Sequence, residues 1–523
     1  MLTVNELSLF LASDFLLLEQ QNPIIMPNKA SHQLFLLIKS MSKQEKRYFR
    51  IFSSRHSNEK NNYYTLYQVI DRQKEYDEEA IIKMLNSHQF VNRLSIAKTR
   101  LYDQILKSLT AFHAQKSVDS ELFFTLQSIE ILYSKALYKA AWKKLHSGIK
   151  LAQKHEKQSI QLQLNKWKQR LIEKENYQSY EAKHIDKWWE EEQEIIDQIK
   201  VYNALWYVKS NIFKLLFYKG ECSPKDLKYI QTQMEEYVDP LDENLLSIRS
   251  KFLFHHIQSA FSFAKKELSQ SYDHLKVNLN LLQTHSWLFS ENPFSEISIL
   301  SNMSYIGIKL GLEEDIDPIV ERMEKWHKVV DQSDENLKIR WFYSYYSIFL
   351  IKQINENHCD IHTPEIAKIE EGLELLDEKI PILRKSDLKM ALSVFYNKAG
   401  EHRLALKTVH SLLNELSSKQ NAELYFTARF FYLLLLIELN KRDYFEVAWL
   451  STKRLLRNNE FNNFEIEELT QAFENYNKSQ DMIHFVDHLS IIHNSKTENP
   501  FFNFQKWALN KDINNASSSA MAS

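Results

Sequence analysis

Six glycines in 523 residues, none beside another, constrain this chain more than any motif in it. Ordinary soluble proteins carry roughly 7% glycine, and glycine serves where φ must turn positive or a ligand must approach the backbone. Phosphate loops, dinucleotide-binding turns, nucleophile elbows and two-residue β-hairpins all draw on it. A chain this poor in glycine is steered away from those chemistries and toward helices. Its 44% apolar and 13% aromatic content is enough to fill large cores. A formal net charge of −2 gives no bulk attraction to nucleic acid or anionic lipid, so any such attraction must be local.

Cys222 and Cys359 match no zinc, redox or haem-attachment spacing and read as buried thiols, which suits a reducing cytoplasm. The N-terminal run NELSLFLASDFLLLEQQ has no Lys or Arg before it and is interrupted by Asp14, so it reads as an amphipathic helix rather than an export signal. Met26 is an alternative start that would leave residues 1–25 outside the native fold. FFYLLLLIEL falls well short of the ~20 residues of a spanning helix and reads as a buried one.

Proline supplies the punctuation. Asn22-Pro23, Ser223-Pro224, Asp239-Pro240, Asn292-Pro293, Asp317-Pro318, Thr363-Pro364 and Asn499-Pro500 each place a side-chain oxygen before a proline, which predicts helix starts at most of them. Ser42-Lys43-Gln44-Glu45 adds a capping box. Between these marks the apolar period is helical. Leu122, Leu126, Ile129, Tyr133 and Ala136 form one stripe, and Ala141, Leu145, Gly148 and Ala152 form another after a break near Leu137-Tyr138, which predicts an antiparallel helix pair.

The segment LSVFYNKAGEHRLALKTVHSLL resembles a tetratricopeptide hairpin. Leu392 and Ser393 stand at the leucine-small pair, Tyr396 at the aromatic, Gly400 at the turn, Ala405 at the second-helix alanine, and Val409 and Leu412 at the later apolar positions. More degenerate relatives occur at 122–155 and in YIGIKLGLEEDIDPIVERM and IELNKRDYFEVAWLSTKRLL. A period of ~34–45 residues over 117–495 implies roughly nine to eleven hairpins. LFLLIKSMSKQEKRYFRIFSSRH and QFVNRLSIAKTRLYDQILKSLTAFH, with that hairpin, also resemble an uncharacterised tetratricopeptide-like helical repeat family of the Bacteroidota. That resemblance implies the fold and supplies no reaction. The expected architecture is all-α: a right-handed α-α superhelix over 117–495, preceded by a small basic helical module at 29–116 and an extension at 1–28 that is flexible or non-native. A C-terminal tail at 496–523, its last residues disordered, follows.

Charge is the sharpest local asymmetry. Residues 29–116 carry 16 Lys or Arg against 8 Asp or Glu. Lys43, Lys46, Arg47 and Arg50 share one helix face, and Arg93, Arg100 and Lys107 recur at heptad spacing on another. Interleaved with Tyr48, Phe49 and Tyr102, these stripes suit either a phosphate backbone or an acidic protein. The plainer reading, which takes precedence, is solvated faces opposite the core stripes Leu34, Leu37, Ile38 and Leu94, Leu101, Ile105. His484 and His488 share a helix face beside Asp487, but no third ligand completes a metal pattern, and none is assigned. His255 and His256 are adjacent and so point apart. IRWFYSYYSIFLI packs six aromatics into a helix apolar nearly all round, which predicts burial, with tyrosine hydroxyls on a concave face as the alternative. WWEEEQEIID reads as an acidic helix surface around Trp188 and Trp189.

These features lead to the expectation of a cytoplasmic, non-enzymatic scaffold or adaptor that binds a protein segment on a helical-repeat surface. It has no cofactor, no metal and no membrane association. The alternative is a nucleic-acid-associated regulator that uses residues 29–116 for contact and the repeats as a sensor or dimerisation surface. The oligomeric state stays open.

Overall fold

A computed structural model describes residues 30–54, 62–85, 93–114, 117–178, 180–219, 222–290, 293–330, 335–457, 464–491 and 502–511. Among these residues the regular structure is helical and there is no strand, as the glycine shortage implies. The chain divides into two compact units, Met1–Leu151 and Ala152–Ser523. The extension at 1–28 lies outside the described residues.

The first unit begins with α1 (Ala30–Ser40), α2 (Lys43–Ser54), α3 (Asn62–Arg72), α4 (Glu78–Leu85) and α5 (Leu94–His113). Its core takes in the expected stripes, with Leu34, Ile38, Leu94, Leu101 and Ile105 buried and Leu37 only partly so, and adds Leu66 and Ile70; Phe49, expected among the basic stripe, is fully buried there instead. The Ser42 capping box forms in full. Glu45 N–H donates to Ser42 Oγ at 3.2 Å, and Ser42 N–H donates to Glu45 Oε2 at 2.7 Å. Helices α6 (Val118–Ser134) and α7 (Tyr138–Lys154) follow, with Leu122, Ile129, Ala141 and Leu145 buried as the period requires. Leu126 is half-buried instead, and Ala136, expected on the stripe, has left the helix.

Ala136 marks a joint that the chain uses again and again. Its φ is +57°, its N–H donates to the carbonyl of Tyr133 at 2.9 Å, and the next N–H, of Leu137, reaches back to Leu132 at 2.9 Å. This is a Schellman stop, in which a left-handed residue lets the last carbonyls of a helix be satisfied before the chain turns back. The same two bonds recur at Glu156, Lys266, Gly311, Gly400 and Asn440. Only Gly311 and Gly400 supply the residue that tolerates this backbone freely. Asn440 visits this region more readily than most residues, while Ala136, Glu156 and Lys266 accept the cost of about 1–2 kcal/mol, so a chain of helix pairs needs few glycines.

The second unit runs through α8 (Gln158–Lys174), α9 (Ala182–Lys219), α10 (Pro224–Tyr237), α11 (Ile248–Ala264), α12 (Leu268–Thr284), a single turn α13 (Ser286–Phe289), α14 (Pro293–Leu310), α15 (Glu313–Val330), α16 (Glu335–Asn355), α17 (Pro364–Leu375), α18 (Ile382–Lys398), α19 (His402–Glu415), α20 (Ala422–Glu438), α21 (Arg442–Arg457), α22 (Phe464–Ser479) and α23 (Met482–Ile491). Most successive helices pack as neighbours, and α14, α16 and α18 also pack one against the next. The hairpin of α18 and α19 forms where its residues place it. Leu392, Tyr396, Ala405, Val409 and Leu412 are all buried, Gly400 takes φ +83°, and Ser393 Oγ donates to the Ala405 carbonyl at 2.8 Å. FFYLLLLIEL lies in α20, which is buried nearly all round.

The proline marks succeed in part. Ser223 caps α10 with a full box through Asp226, Pro293 opens α14 and Pro364 opens α17. Asp317-Pro318 is not a start: α15 begins earlier, at Glu313, because the joint at Gly311 has already turned the chain. Asp239-Pro240 sits in a turn before a 3-10 helix (Glu243–Leu245). Asn22-Pro23 and Asn499-Pro500 lie outside the described residues. Of the segment expected as a tail, residues 502–511 pack into the core. Ala508 and Phe504 are buried, and the Phe502 ring lies 4.6 Å from that of Phe431.

Candidate functional site

Within the second unit, α9, α11, α14, α16 and α18 turn one side toward a cavity of about 1340 Å³, to which α20 adds Glu423 and Glu438 near its two ends. The helices that alternate with them contribute little: α12 gives Ser271, α15 gives Ile316 and Asp317, and α19 gives His402. Residues 502–511 contribute Phe502, Lys506 and Trp507 to the same wall. The circuit is joined where Asn421 Nδ2, just before α20, donates to the carbonyl of Phe217 near the end of α9 at 3.5 Å.

The lining is polar for an interior. It includes seven serines and six asparagines, with eight Lys or Arg against five Asp or Glu, although the whole chain is acidic by −2. Much of this charge is internally matched. Lys352 Nζ donates to Asp317 Oδ1 at 2.5 Å, and Glu438 accepts from Trp507 Nε1 at 3.1 Å and pairs with Lys511 at 3.0 Å.

One region is not matched. Lys209 on α9 reaches no carboxylate among the described residues, and its ammonium lies 5.7 Å from the centroid of the Phe213 ring. Arg340 on α16 donates to Ser298 Oγ and lies 5.5 Å from the Phe294 centroid, again with no carboxylate. Arg384 on α18 lies 5.1 Å from the Phe217 centroid and 3.5 Å from its only acidic partner here, Asp387. Burial pushes the Lys209 ammonium below its usual range and the Arg340 charge pushes it further. Burial also lowers Arg340, with Arg384 adding to the effect. His256, whose ring is 5.1 Å from Phe213, is driven down to about 3 by burial and then by Lys209 and Arg340, and is therefore neutral at pH 7. Its Nδ1 is buried without a hydrogen-bond partner. Asp387 lines the cavity with its side chain 30% exposed, and burial raises its carboxyl to about 6 against the pull of Arg384.

The basic residues singled out from sequence lie in the first unit. Lys46, Arg47 and Arg50 line a cleft of about 420 Å³ with Tyr64, Tyr67, Asp71 and Arg72. Lys46 is committed to Asp71 at 2.6 Å, whereas Arg47 and Arg50 are exposed. Lys43 is exposed outside the cleft. Arg93, Arg100 and Lys107 are exposed along α5 and do not line it; Arg100 instead donates to Tyr63 Oη at 3.2 Å. Arg72 escaped the sequence reading because it lies on a different helix from the stripe it joins.

Elsewhere the readings divide. Trp341, Phe342, Tyr345 and Tyr346 are buried as expected, but Tyr343 lines the cavity. Trp189 is 64% exposed beside the acidic run, and Trp188 carries Lys168 at 4.3 Å. Both cysteines are half-buried rather than buried. The rings of His484 and His488 stand 6.5 Å apart, and no group of three or more His, Cys, Asp or Glu among the described residues is placed to hold a metal. His256, set aside because it adjoins His255, faces the cavity, as does His402. No described helix is long and apolar enough to cross a membrane. Searches against protein-family models, curated proteins and solved structures find no match.

Proposed function

We propose that this chain is a non-enzymatic interaction protein, a tetratricopeptide-like right-handed superhelix over its helix pairs, whose inner wall holds a segment of a partner polypeptide. The observation that carries this reading is the cavity itself. At about 1340 Å³ it exceeds the ~300–1,000 Å³ usual for small ligands, and its wall is spread over side chains of many helices rather than one concentrated constellation. Serine and asparagine along such a wall can meet the amides of an extended chain, while Tyr343 and Phe213 offer apolar purchase. Photo-crosslinking groups placed at Ser347 and, as a control, at exposed Tyr444 of α21 test this. Crosslinks from position 347 should map to one recurring partner segment and be absent from position 444. Equal, scattered labelling from both would remove the reading.

A second reading rests on the cleft of the first unit, where Arg47, Arg50 and Arg72 gather beside two tyrosines. This suits the phosphate backbone of a nucleic acid. Such binding should weaken steeply between about 50 and 200 mM salt, and Arg47→Ala, Arg50→Ala and Arg72→Ala together should abolish it. Leaving Lys46 in place keeps its ion pair with Asp71 intact. Binding that is indifferent to salt or to the triple variant would exclude this cleft.

A further inference from the structure

We propose that Lys209 and Arg340, with Arg384 beside them, form a binding site for a phosphate-type dianion within the cavity. Three helices distant in sequence bring these cations to the wall of one cavity, and two neighbouring rings link Lys209 to Arg384. Lys209 lies over Phe213, Phe213 and Phe217 have ring centroids 5.6 Å apart, and Arg384 lies over Phe217. Arg340 is near enough to depress Lys209, and Arg384 near enough to depress Arg340.

Like charges gathered away from bulk water destabilise a fold unless something balances them. Asp387 balances Arg384, which leaves Lys209 and Arg340 as two uncompensated positive charges. That is the charge of one phosphoryl dianion. The donors fit the same chemistry: the Arg340 guanidinium presents a planar fork and Lys209 a compact ammonium. Neutral His256, nine-tenths buried with its Nδ1 unpartnered, lines the same wall and brings no competing positive charge to it.

The anion has two sources: a small free phosphate compound, or a phosphorylated side chain of the polypeptide segment proposed above. Only the second rests on that earlier reading. The site is tested on the full chain by titration calorimetry and thermal melting with inorganic phosphate, at constant ionic strength against chloride. Phosphate should raise the melting temperature, and Lys209→Met with Arg340→Met should weaken its binding about tenfold or more. The double variant should melt no lower than the native chain in chloride, because the charges it removes are unbalanced. A Lys398→Met control, on the same wall but bonded to the Ile354 carbonyl and Asn357, should keep the phosphate response. No response in the native chain, or a response that survives the double variant, overturns the site. A melting temperature that falls in chloride in the double variant would assign the two cations a structural role and overturn it as well. Competition then separates the sources. Phosphoserine peptides that displace bound phosphate better than equimolar inorganic phosphate place the anion on a polypeptide. Peptides no better than phosphate keep the site, assign it to a small anion, and count against the polypeptide reading alone.

Discussion

The ring of Phe342 on α16 occupies the space that a side chain at position 372 of α17 would need. A Cβ built on Gly372 would lie 2.1 Å from Phe342 Cε2. The glycine therefore sits mid-helix for packing, not for a turn. Gly372→Ala should lower stability by about 1–2 kcal/mol, the ~1 kcal/mol gain in helix propensity offsetting part of the overpacking. Phe342→Leu should be less harmful in the alanine background than alone, and a double-mutant cycle in urea measures that coupling. Additive losses would mean that the ring moves aside freely.

Ala405 has no exposed surface and lies where its helix meets Ser393 of the preceding one. Ala405→Leu should cost on the order of 1–3 kcal/mol through overpacking. At Gly400, φ +83° predicts that valine is tolerated less well than asparagine. Hydrogen exchange should lose protection around α18 to α21 and keep it in α1 to α5; uniform loss would contradict nearest-neighbour packing.

Ala136 is exposed and left-handed, with a side chain that contributes no burial. Ala136→Gly should therefore stabilise by about 0.5–1 kcal/mol, the relief of the left-handed penalty exceeding glycine's entropic cost. A higher urea midpoint at unchanged slope is the expected result.

Lys385 and Lys389 of α18 are largely buried and share Glu415 of α19, at 2.8 and 2.6 Å. Burial alone would raise the Glu415 carboxyl, but the two lysine hydrogen bonds outweigh it and hold it below its ordinary value. Asp377 is lowered chiefly by its hydrogen bond from Lys385. Carboxyls depressed in the folded state stabilise it fully above their unfolded values, near 4, and lose that contribution as pH falls through the folded ones. Melting temperature should thus drop below about pH 4. Glu415→Gln should cost about 1–2 kcal/mol at pH 7, since Lys385 keeps Asp377 while Lys389 is left with Ser411, and flatten the acid limb.

The hairpin at 382–415 was readable because one small residue, one aromatic and one glycine each had a fixed place in a short span. The joints at Ala136, Glu156 and Lys266 were not, since nothing in those side chains announces a left-handed backbone; tertiary packing imposes it. Asp317-Pro318 misled for the opposite reason, a start signal lying inside a helix already begun. The cavity cations were missed because Lys209, Arg340 and Arg384 come from three helices far apart in the chain. The signal that could have found them is a cation set among apolar and aromatic residues of a helix, as Lys209 is in KSNIFKLLF and Arg340 in KIRWFYSYY, although each run carries a second cation, Lys214 and Lys338.

The bond from Asn421 to the Phe217 carbonyl sets a limit on how such a chain can evolve. Stacked helix pairs ordinarily lengthen or shorten by duplication or loss of a unit, since each touches only its neighbours. Here, inserting one pair between α11 and α19 would move Asn421 by a helix spacing or more, about 8–10 Å, and part it from Phe217. The count of pairs in this circuit is thereby pinned. Divergence is left to the exposed faces of the alternate helices, which can change partner surfaces without changing the enclosure.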